Sequence, residues 1–139
     1  MFNSTQAISL PRILVSPGEP AGIGPDICIL AAQQAFAADI VTIGDPLLFA
    51  RRAKQLELDL EIETCSLNNE PSINKPGVLK VLPISLDDEC VAGKLNPKNA
   101  QFVLNVLNLA IDACLHKQAQ AMVTGPIQKS ILAQRINHF

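Results

Sequence analysis

The sequence predicts an α/β fold with a largely parallel sheet and flanking helices. Short apolar segments at residues 12–15, 40–43, 78–82 and 121–124 alternate with longer segments of helical pattern. Strands that are apolar throughout, rather than alternating with polar residues, are typical of parallel sheets covered on both faces. Two of these strands are followed directly by Gly and Pro and then by a helical pattern, which is typical of βα units.

Residues 1–11 are expected to be a loose lead-in. The first predicted strand, residues 12–15, then leads into residues 16–26, which have the sequence SPGEPAGIGPD. Three glycines and three prolines in eleven residues predict a rigid loop. A helix over 26–36 should follow, with Pro25 at its start and Asp26 in its first turn. Such a loop either binds an anion or is only a tight turn, and the pattern favours neither.

The next predicted strand, residues 40–43, precedes Asp45 and Pro46, a helix-start pattern, and a helix to about residue 55. Residues 58–64 alternate and predict a half-exposed edge strand, 65–76 a loop, and 78–82 a further strand. In the helix predicted to end near residue 55, we expect one set of side chains toward the core and another toward water. Those toward the core are Leu47, Leu48, Ala50 and Ala53, and those toward water are Arg51, Arg52 and Lys54.

Asn96 and Pro97 repeat the helix-start pattern before a long helix that should reach about residue 117. Apart from one narrow polar stripe, the surface of this helix is apolar. Such a wide apolar surface is suited to packing against both its own sheet and a partner subunit. A buried strand over 121–124 and a helix over 127–134 should follow. The polar residues of the long helix form one narrow stripe: Lys98, Gln101, Asn105, Asn108, Asp112 and His116.

Composition narrows the function classes. The net charge of −2 and the lack of Trp and Tyr disfavour nucleic-acid binding. No segment has the pattern of a signal peptide or a membrane span, so we expect a cytoplasmic protein with no membrane partner. The four cysteines are widely spaced, which disfavours a zinc or redox pair, and Cys28 and Cys114 should be buried. The acidic run 87–89 is expected to be a solvated loop rather than a metal site.

Two loops at the carboxyl ends of predicted strands are the candidate binding region, because parallel α/β sheets bind ligands there. The loop at 124–129 combines a hydroxyl, a helix start and Lys129, a set suited to an anionic group. The glycines of the first loop do not have the spacing of a dinucleotide fingerprint, and no Walker P-loop is present.

The first loop, SPGEPAGIGPD, closely resembles the N-terminal signature of the 4-hydroxythreonine-4-phosphate dehydrogenase family. The segments IGDP at 43–46, GKL at 93–95 and VTGPIQK at 123–129 support the resemblance in the same order along the chain. Gln128 departs from the family, which more often has His or Asn there. His116 and His138 match no family site and are expected to be surface residues.

The resemblance implies a fold of the isocitrate/isopropylmalate dehydrogenase type, with two α/β domains and a homodimer. Residues 1–139 would be a single α/β unit, the N-terminal portion of a longer two-domain dehydrogenase. The implied reaction is the NAD- or NADP-dependent oxidation of a small phosphorylated substrate, 4-phosphooxy-L-threonine, with decarboxylation to 3-amino-2-oxopropyl phosphate in pyridoxal 5′-phosphate biosynthesis. The implied divalent metal (Zn, Mg or Co) is held in the family by histidines absent from this chain, so no metal ligand is predicted here.

The resemblance also implies roles for residues of both loops. Lys129 is the candidate catalytic residue, near the substrate anion or the reacting hydroxyl. Glu19 either orients a ligand hydroxyl or caps its own loop, and Asp26 serves the helix end. Gly18, Gly22 and Gly24 would shape the first loop and let a ligand approach its backbone. Thr124 and Gly125 would line the cleft.

We expect the 139-residue chain alone to be inactive. A non-catalytic phosphate- or nucleotide-binding or dimerisation module of the same fold is the main alternative. An acyl- or phosphotransferase-like relative is a weaker one, since fold does not fix function.

Overall fold

The computed structural model describes residues 10–136, and the predictions for residues 1–9 and for His138 lie outside them. The described strands are β1 (Arg12–Ser16), β2 (Asp39–Gly44), β3 (Glu61–Thr64), β4 (Val78–Pro83) and β5 (Ala121–Thr124). The helices are α1 (Gly24–Ala31), α2 (Pro46–Gln55), α3 (Ala100–Leu115) and α4 (Lys129–Arg135), with a short 3₁₀ turn at Pro97–Asn99 before α3. The strand order is β3-β4-β2-β1-β5 and every pair is parallel. The predicted parallel α/β sheet is confirmed.

The predicted helix starts are confirmed where an Asx residue precedes proline. The Asp45 carboxylate accepts a hydrogen bond from Leu47 N at 2.9 Å, and the Asn96 amide oxygen accepts one from Lys98 N at 3.0 Å. Each side chain thereby satisfies a backbone donor that the first helical turn leaves free.

Helix α1 is shorter than predicted and ends at Ala31 instead of residue 36. The carbonyl of Ala32 accepts a hydrogen bond from Gly77 N at 2.7 Å, so it is used by the loop before β4. Gln33 and Gln34 bond back to Leu30 and Ala31 in a tighter turn. The tertiary contact thus ends a helix that the apolar pattern alone would extend.

Helices cover both faces of the sheet and form two apolar clusters. One cluster joins β1 and β2 to α3 and α4 and includes Leu14, Ile43 and Phe102. The other joins β4 to α1 and α2 and includes Ile29 and Phe49. The predicted polar stripe of α3 is confirmed, because all six of its side chains are exposed.

Several burial predictions are wrong. In α2, Leu47 and Ala50 are exposed, because Leu48, Phe49, Arg52 and Ala53 form its buried face. Strand β5 is not buried: it is an edge strand that, among the described strands, pairs only with β1, and Val123 is 55% exposed. Cys28 is buried as expected, whereas Cys114 is only partly buried.

The acidic run lies in a loop, as predicted, and contributes to local structure. The Asp88 carboxylate accepts a hydrogen bond from the Asn96 amide at 2.9 Å, and this bond lowers the pKa of Asp88. Within residues 10–136, no helix has the length and apolar character needed to cross a membrane.

Candidate functional site at the carboxyl end of the sheet

Strands β1 and β5 bring the two predicted loops to one place. The strands pair in parallel with Ser16 opposite Thr124, so both chains leave the sheet side by side at its carboxyl edge. The first loop, residues 17–23, leads into α1, and the second, residues 125–128, leads into α4. We call these the glycine loop and the β5–α4 loop.

The two loops bind each other through their backbones. Glu19 N donates to Pro126 O at 2.9 Å, and Gly125 N donates to Ser16 O at 2.6 Å. Paired in this way, the loops form a single surface. The sequence predicted that both loops lie at the same edge of the sheet but not that they are in contact.

Glycine is required at three positions because backbone occupies the space of a side chain. A Cβ at Gly18, where φ is +79°, would lie 2.2 Å from Pro126 O. A Cβ at Gly125 would lie 2.3 Å from Pro17 O, and one at Gly24 only 1.6 Å from the same oxygen. The predicted loop-shaping role fits these contacts. The backbone that comes close at Gly18 and Gly24 is the chain's own, and the approach of a ligand to this loop stays a prediction.

The space for a side chain is less restricted at Gly22, which packs against Glu19 within the glycine loop. A Cβ at Gly22 would lie 3.3 Å from Glu19 O, whereas Gly22 N donates to that same oxygen at 3.0 Å. The Glu19 side chain is buried, and its Oε1 accepts a hydrogen bond from Ala21 N at 3.1 Å. Of the two roles predicted for Glu19, the contacts favour capping the loop.

Arg52 is the main residue of this region that sequence reasoning missed. It was predicted to point toward water, but it is only 5% exposed. Its guanidinium donates to Gly22 O and Pro20 O, both at 2.9 Å, and to Asp26 Oδ1 at 2.8 Å. Arg52 therefore holds the glycine loop against α2. The spacing of Arg52 from Leu48, one helical turn away on the apolar face, is the signal that could have revealed it.

Asp26 takes the helix-end role that was predicted for it. It lies in the first turn of α1, and its carboxylate pairs with Arg52. A negative charge is favourable at this end of the helix dipole. Through the pair between its carboxylate and a buried guanidinium, Asp26 joins the start of α1 to α2.

The loop after β4 supports the same region. The second carboxylate oxygen of Asp45 accepts a hydrogen bond from Leu86 N at 2.9 Å, and Gly93 N donates to Ala21 O at 2.8 Å. Burial raises the pKa of the Cys90 thiol in this loop, although the positive charge of Arg52 acts in the opposite direction. The GKL segment at 93–95 thus meets the glycine loop through its glycine.

The β5–α4 loop presents the exposed polar groups of the region. Thr124 ends β5, Lys129 begins α4, and both side chains are exposed. Within residues 10–136, Lys129 makes no ion pair, whereas Arg52 pairs with Asp26 and donates to the carbonyls of Pro20 and Gly22. Lys129 is therefore an exposed cation that the β5–α4 loop offers to an external anion.

The described residues do not fit the implied metal. No group of three or more His, Cys, Asp or Glu side chains within residues 10–136 is placed to hold a metal ion. His116 is an exposed residue at the end of α3, where its Nδ1 lies 2.7 Å from Asp112 O.

These features define an α/β protein whose paired βα loops form a polar surface at the carboxyl end of a parallel sheet. The family model described as pyridoxal phosphate biosynthetic protein PdxA matches residues 36–139. The chain belongs to this family, and the resemblance stated from its motifs is confirmed.

Named relatives agree with the family. A 4-hydroxythreonine-4-phosphate dehydrogenase of Serratia proteamaculans is 39% identical over 121 residues, which cover 87% of this chain and 37% of the relative. One of Methylococcus capsulatus is 40% identical over 122 residues, which cover 88% and 37% of the two chains. This chain therefore spans little more than a third of the length of these relatives.

A solved structure extends the agreement to the fold. The crystal structure of 4-hydroxythreonine-4-phosphate dehydrogenase from Klebsiella pneumoniae superposes with a TM-score of 0.81 at 20% identity, covering 94% of this chain and 41% of that one. The parallel α/β architecture is thus the family's, and it is consistent with the isocitrate dehydrogenase-like fold that the resemblance implied.

Proposed function

We propose that this chain is the N-terminal portion of a 4-hydroxythreonine-4-phosphate dehydrogenase and that it supplies the binding loops of that enzyme. The observation that carries the proposal is the 39% identity to a relative of that name across 87% of the chain. The whole enzyme would be a two-domain, cytoplasmic homodimer that acts on a small phosphorylated substrate.

The proposed reaction is oxidation of the secondary hydroxyl of 4-phosphooxy-L-threonine with NAD or NADP and a divalent metal, Zn, Mg or Co. Loss of carbon dioxide would give 3-amino-2-oxopropyl phosphate. The metal does not fit the residues described here, and we assign no step through the metal or the dinucleotide to this chain.

The proposed part of this chain is to bind and orient the substrate. Lys129, exposed and without an ion-pair partner in residues 10–136, would hold a phosphate or carboxylate oxygen or contact the reacting hydroxyl. Thr124 would donate or accept a hydrogen bond beside it. The glycine loop, held by Arg52, Glu19 and Pro126, would keep this surface in one conformation, which lowers the entropic cost of binding.

The test compares the chain alone with a hybrid in which the chain is joined to the remainder of the Serratia proteamaculans relative. With 4-phosphooxy-L-threonine, divalent metal and either nucleotide, the hybrid should reduce the nucleotide and the 139-residue chain should not. Turnover by the chain alone would refute the proposal that activity requires the rest of the enzyme. A folded hybrid that binds phosphate but never turns over would favour the non-catalytic alternative.

Lys129→Met in the hybrid tests the proposed role of the lysine. Loss of a charge-assisted contact to the substrate should lower kcat/KM by at least about a hundredfold. Lys54→Met is the matched control, because Lys54 is an exposed lysine on α2. Equal kinetics for the two variants would remove Lys129 from the site.

A further inference from the structure

Two buried polar groups at the carboxyl end of the sheet have no hydrogen-bond partner within residues 10–136. One is the hydroxyl oxygen of Ser16, and the other is the side-chain amide nitrogen, Nδ2, of Asn99. Ser16 is fully buried, and Asn99 is 2% exposed. An unpaired buried polar group costs free energy, and native structures keep few of them. Two at the same end of one sheet therefore need an explanation.

The chain path brings Ser16 and Asn99 to one face of the sheet. Ser16 lies two positions after Leu14 in β1, so both side chains point to the same face. Leu14 belongs to one apolar cluster with Phe102 and Val103 of α3. Asn99 precedes these two residues by about one helical turn, and it therefore lies on the side of α3 that faces the sheet.

The direction of α3 places Ser16 and Asn99 in the same layer of the core. Because α3 connects the parallel strands β4 and β5, it runs back along the sheet, and its first turn lies at the carboxyl end. The step from Leu14 to Ser16 is about 6.6 Å toward that end. The step from Phe102 or Val103 to Asn99 is about 5 Å in the same direction. The two unpaired groups thus share the layer next to the binding loops.

Each of the two residues also holds a loop of the candidate site. The carbonyl of Ser16 accepts a hydrogen bond from Gly125 N of the β5–α4 loop at 2.6 Å. The Asn99 amide oxygen accepts one from Asp88 N at 2.9 Å. Asp88 belongs to residues 84–96, which we call the β4–α3 loop, and this loop binds the glycine loop through Gly93 N. A movement of either loop is therefore passed to one member of the pair.

Both of these loops carry an exposed lysine. Lys129 follows the β5–α4 loop directly, and Lys94 lies in the β4–α3 loop, one residue after its contact with the glycine loop. Neither lysine makes an ion pair within the part of the chain that the structure describes. An anion attracted by both lysines favours a smaller separation of the two loops.

We propose that Ser16 and Asn99 are positioning residues that hydrogen-bond to each other when an anion binds at the candidate site. The anion draws the β4–α3 loop toward the β5–α4 loop, and Asn99 and Ser16 move with the loops that they hold. The Asn99 amide then donates to the Ser16 hydroxyl oxygen. The inference rests on the proposed anion-binding role of this surface.

The proposal gives the two unpaired groups opposite effects on stability and on binding. They cost free energy in the free protein, and they are paired in the bound protein. The free energy recovered by pairing is then available to the anion as a coupling between binding and loop closure. A group that has only a structural role in the core does not have this coupling.

The first experiment measures Ser16→Ala in the 139-residue chain. Without ligand, the urea midpoint should rise by at least about 0.3 M, because an unpaired hydroxyl is removed. The affinity for inorganic phosphate, measured by calorimetry, should fall at least about fivefold, because the new hydrogen bond cannot form. Ser66→Ala is the control, since Ser66 is an exposed serine in the loop after β3, and it should neither raise the midpoint nor change the affinity.

The second experiment adds Asn99→Leu and the double variant. Asn99→Leu should also weaken phosphate binding, and Ser16→Ala should then cause no further loss, because one hydrogen bond can be lost only once. If Asn99→Leu does not fold, the opposite changes of midpoint and affinity in Ser16→Ala still test the proposal.

Three results would overturn the proposal. A lower urea midpoint for Ser16→Ala would mean that the hydroxyl is already paired in the free protein, as it would be with an internal water. Independent losses of affinity in the double variant would mean that the two residues do not bond to each other. Phosphate binding that Lys129→Met abolishes and Ser16→Ala leaves unchanged would refute the pair while supporting the proposed function, whereas no phosphate binding by the unaltered chain would refute both.

Discussion

At each end of the sheet one buried arginine binds the carbonyls of a loop, and the two arginines have different surroundings. At the amino end, Arg12 donates to the carbonyls of Leu67 and Asn69, at 2.9 and 2.5 Å, and to Asp39 at 2.8 Å. Asp39 also pairs with Lys80 at 2.6 Å. Two cations thus share one buried carboxylate, and their remaining donors bind loop oxygens.

At the carboxyl end, Arg52 is the only cation of its cluster. It holds the carbonyls of Pro20 and Gly22 and pairs with Asp26, whose side chain is 28% exposed. The loop that it holds also binds the backbone of the β5–α4 loop. Here the arginine positions a surface that carries a second, exposed cation, Lys129.

The difference separates a structural cluster from a candidate site. A buried ion network with its donors satisfied adds little net stability but is costly to disrupt. The amino-end cluster has this character, because Arg12 and Lys80 are both occupied by Asp39 and by loop oxygens. The carboxyl end has the same kind of clamp, but its exposed lysine lies where parallel sheets bind ligands.

The largest expected effect is on the contact between the two loops at the carboxyl end. Gly18→Ala should lower the free energy of unfolding by about 3 kcal/mol, because it adds left-handed strain and a clash with Pro126 O. Gly77→Ala is the control: φ is +87° there but nothing lies within 4 Å of a Cβ. It should cost about 1 kcal/mol. Urea unfolding of the 139-residue chain measures both, and equal costs would mean that the loops are not in contact.

A smaller effect is expected from removing either arginine. Arg52→Met should cost about 2 kcal/mol, because it leaves two carbonyls and Asp26 without their donor. Hydrogen exchange should then speed up in residues 19–24, whereas Arg12→Met should speed it up in residues 66–72. The exposed neighbour Arg51→Met is the control and should change little. If both variants loosen the same loop, the two ends are not independent.

The smallest expected effect is on the thiols that lie near each arginine. Burial raises the pKa of both Cys65 and Cys90, and the nearby guanidinium opposes the shift, Arg12 for Cys65 and Arg52 for Cys90. Removing the positive charge should therefore raise the thiol pKa further. Arg52→Met should move the alkylation midpoint of Cys90 to higher pH and leave Cys65 unchanged, as mass spectrometry over a pH series can show. A shift to lower pH would contradict the assigned charge effect.

Most of the fold could be predicted from the sequence, because local signals agree with the tertiary structure. The pairs Asp45-Pro46 and Asn96-Pro97 give helix starts that need no distant contact. The end of α1 and the exposure of β5 could not be predicted in this way. The first depends on a hydrogen bond from Gly77 N to Ala32 O, which joins segments far apart in the sequence, and the second depends on strand order.

The candidate site was predicted in its location but not in its internal contacts. The Gly-Pro loops after two strands indicated the carboxyl edge. The clamp by Arg52 was missed because a charged residue on a helix was assigned to water, although its position beside Leu48 and Ala53 lies on the buried face. The filled space at Gly18 depends on how two distant segments pack, and that at Gly24 on how the glycine loop folds back on Pro17, neither of which composition reveals.

The most direct test of the difference between the two ends is a titration of the isotopically labelled 139-residue chain with inorganic phosphate, followed by amide chemical shifts, against chloride at equal ionic strength. We predict shifts in the glycine loop and in residues 125–130, lost in Lys129→Met and kept in Lys54→Met. Shifts confined to the surroundings of Arg12, Asp39 and Lys80 would contradict the assignment of the carboxyl end as the binding site.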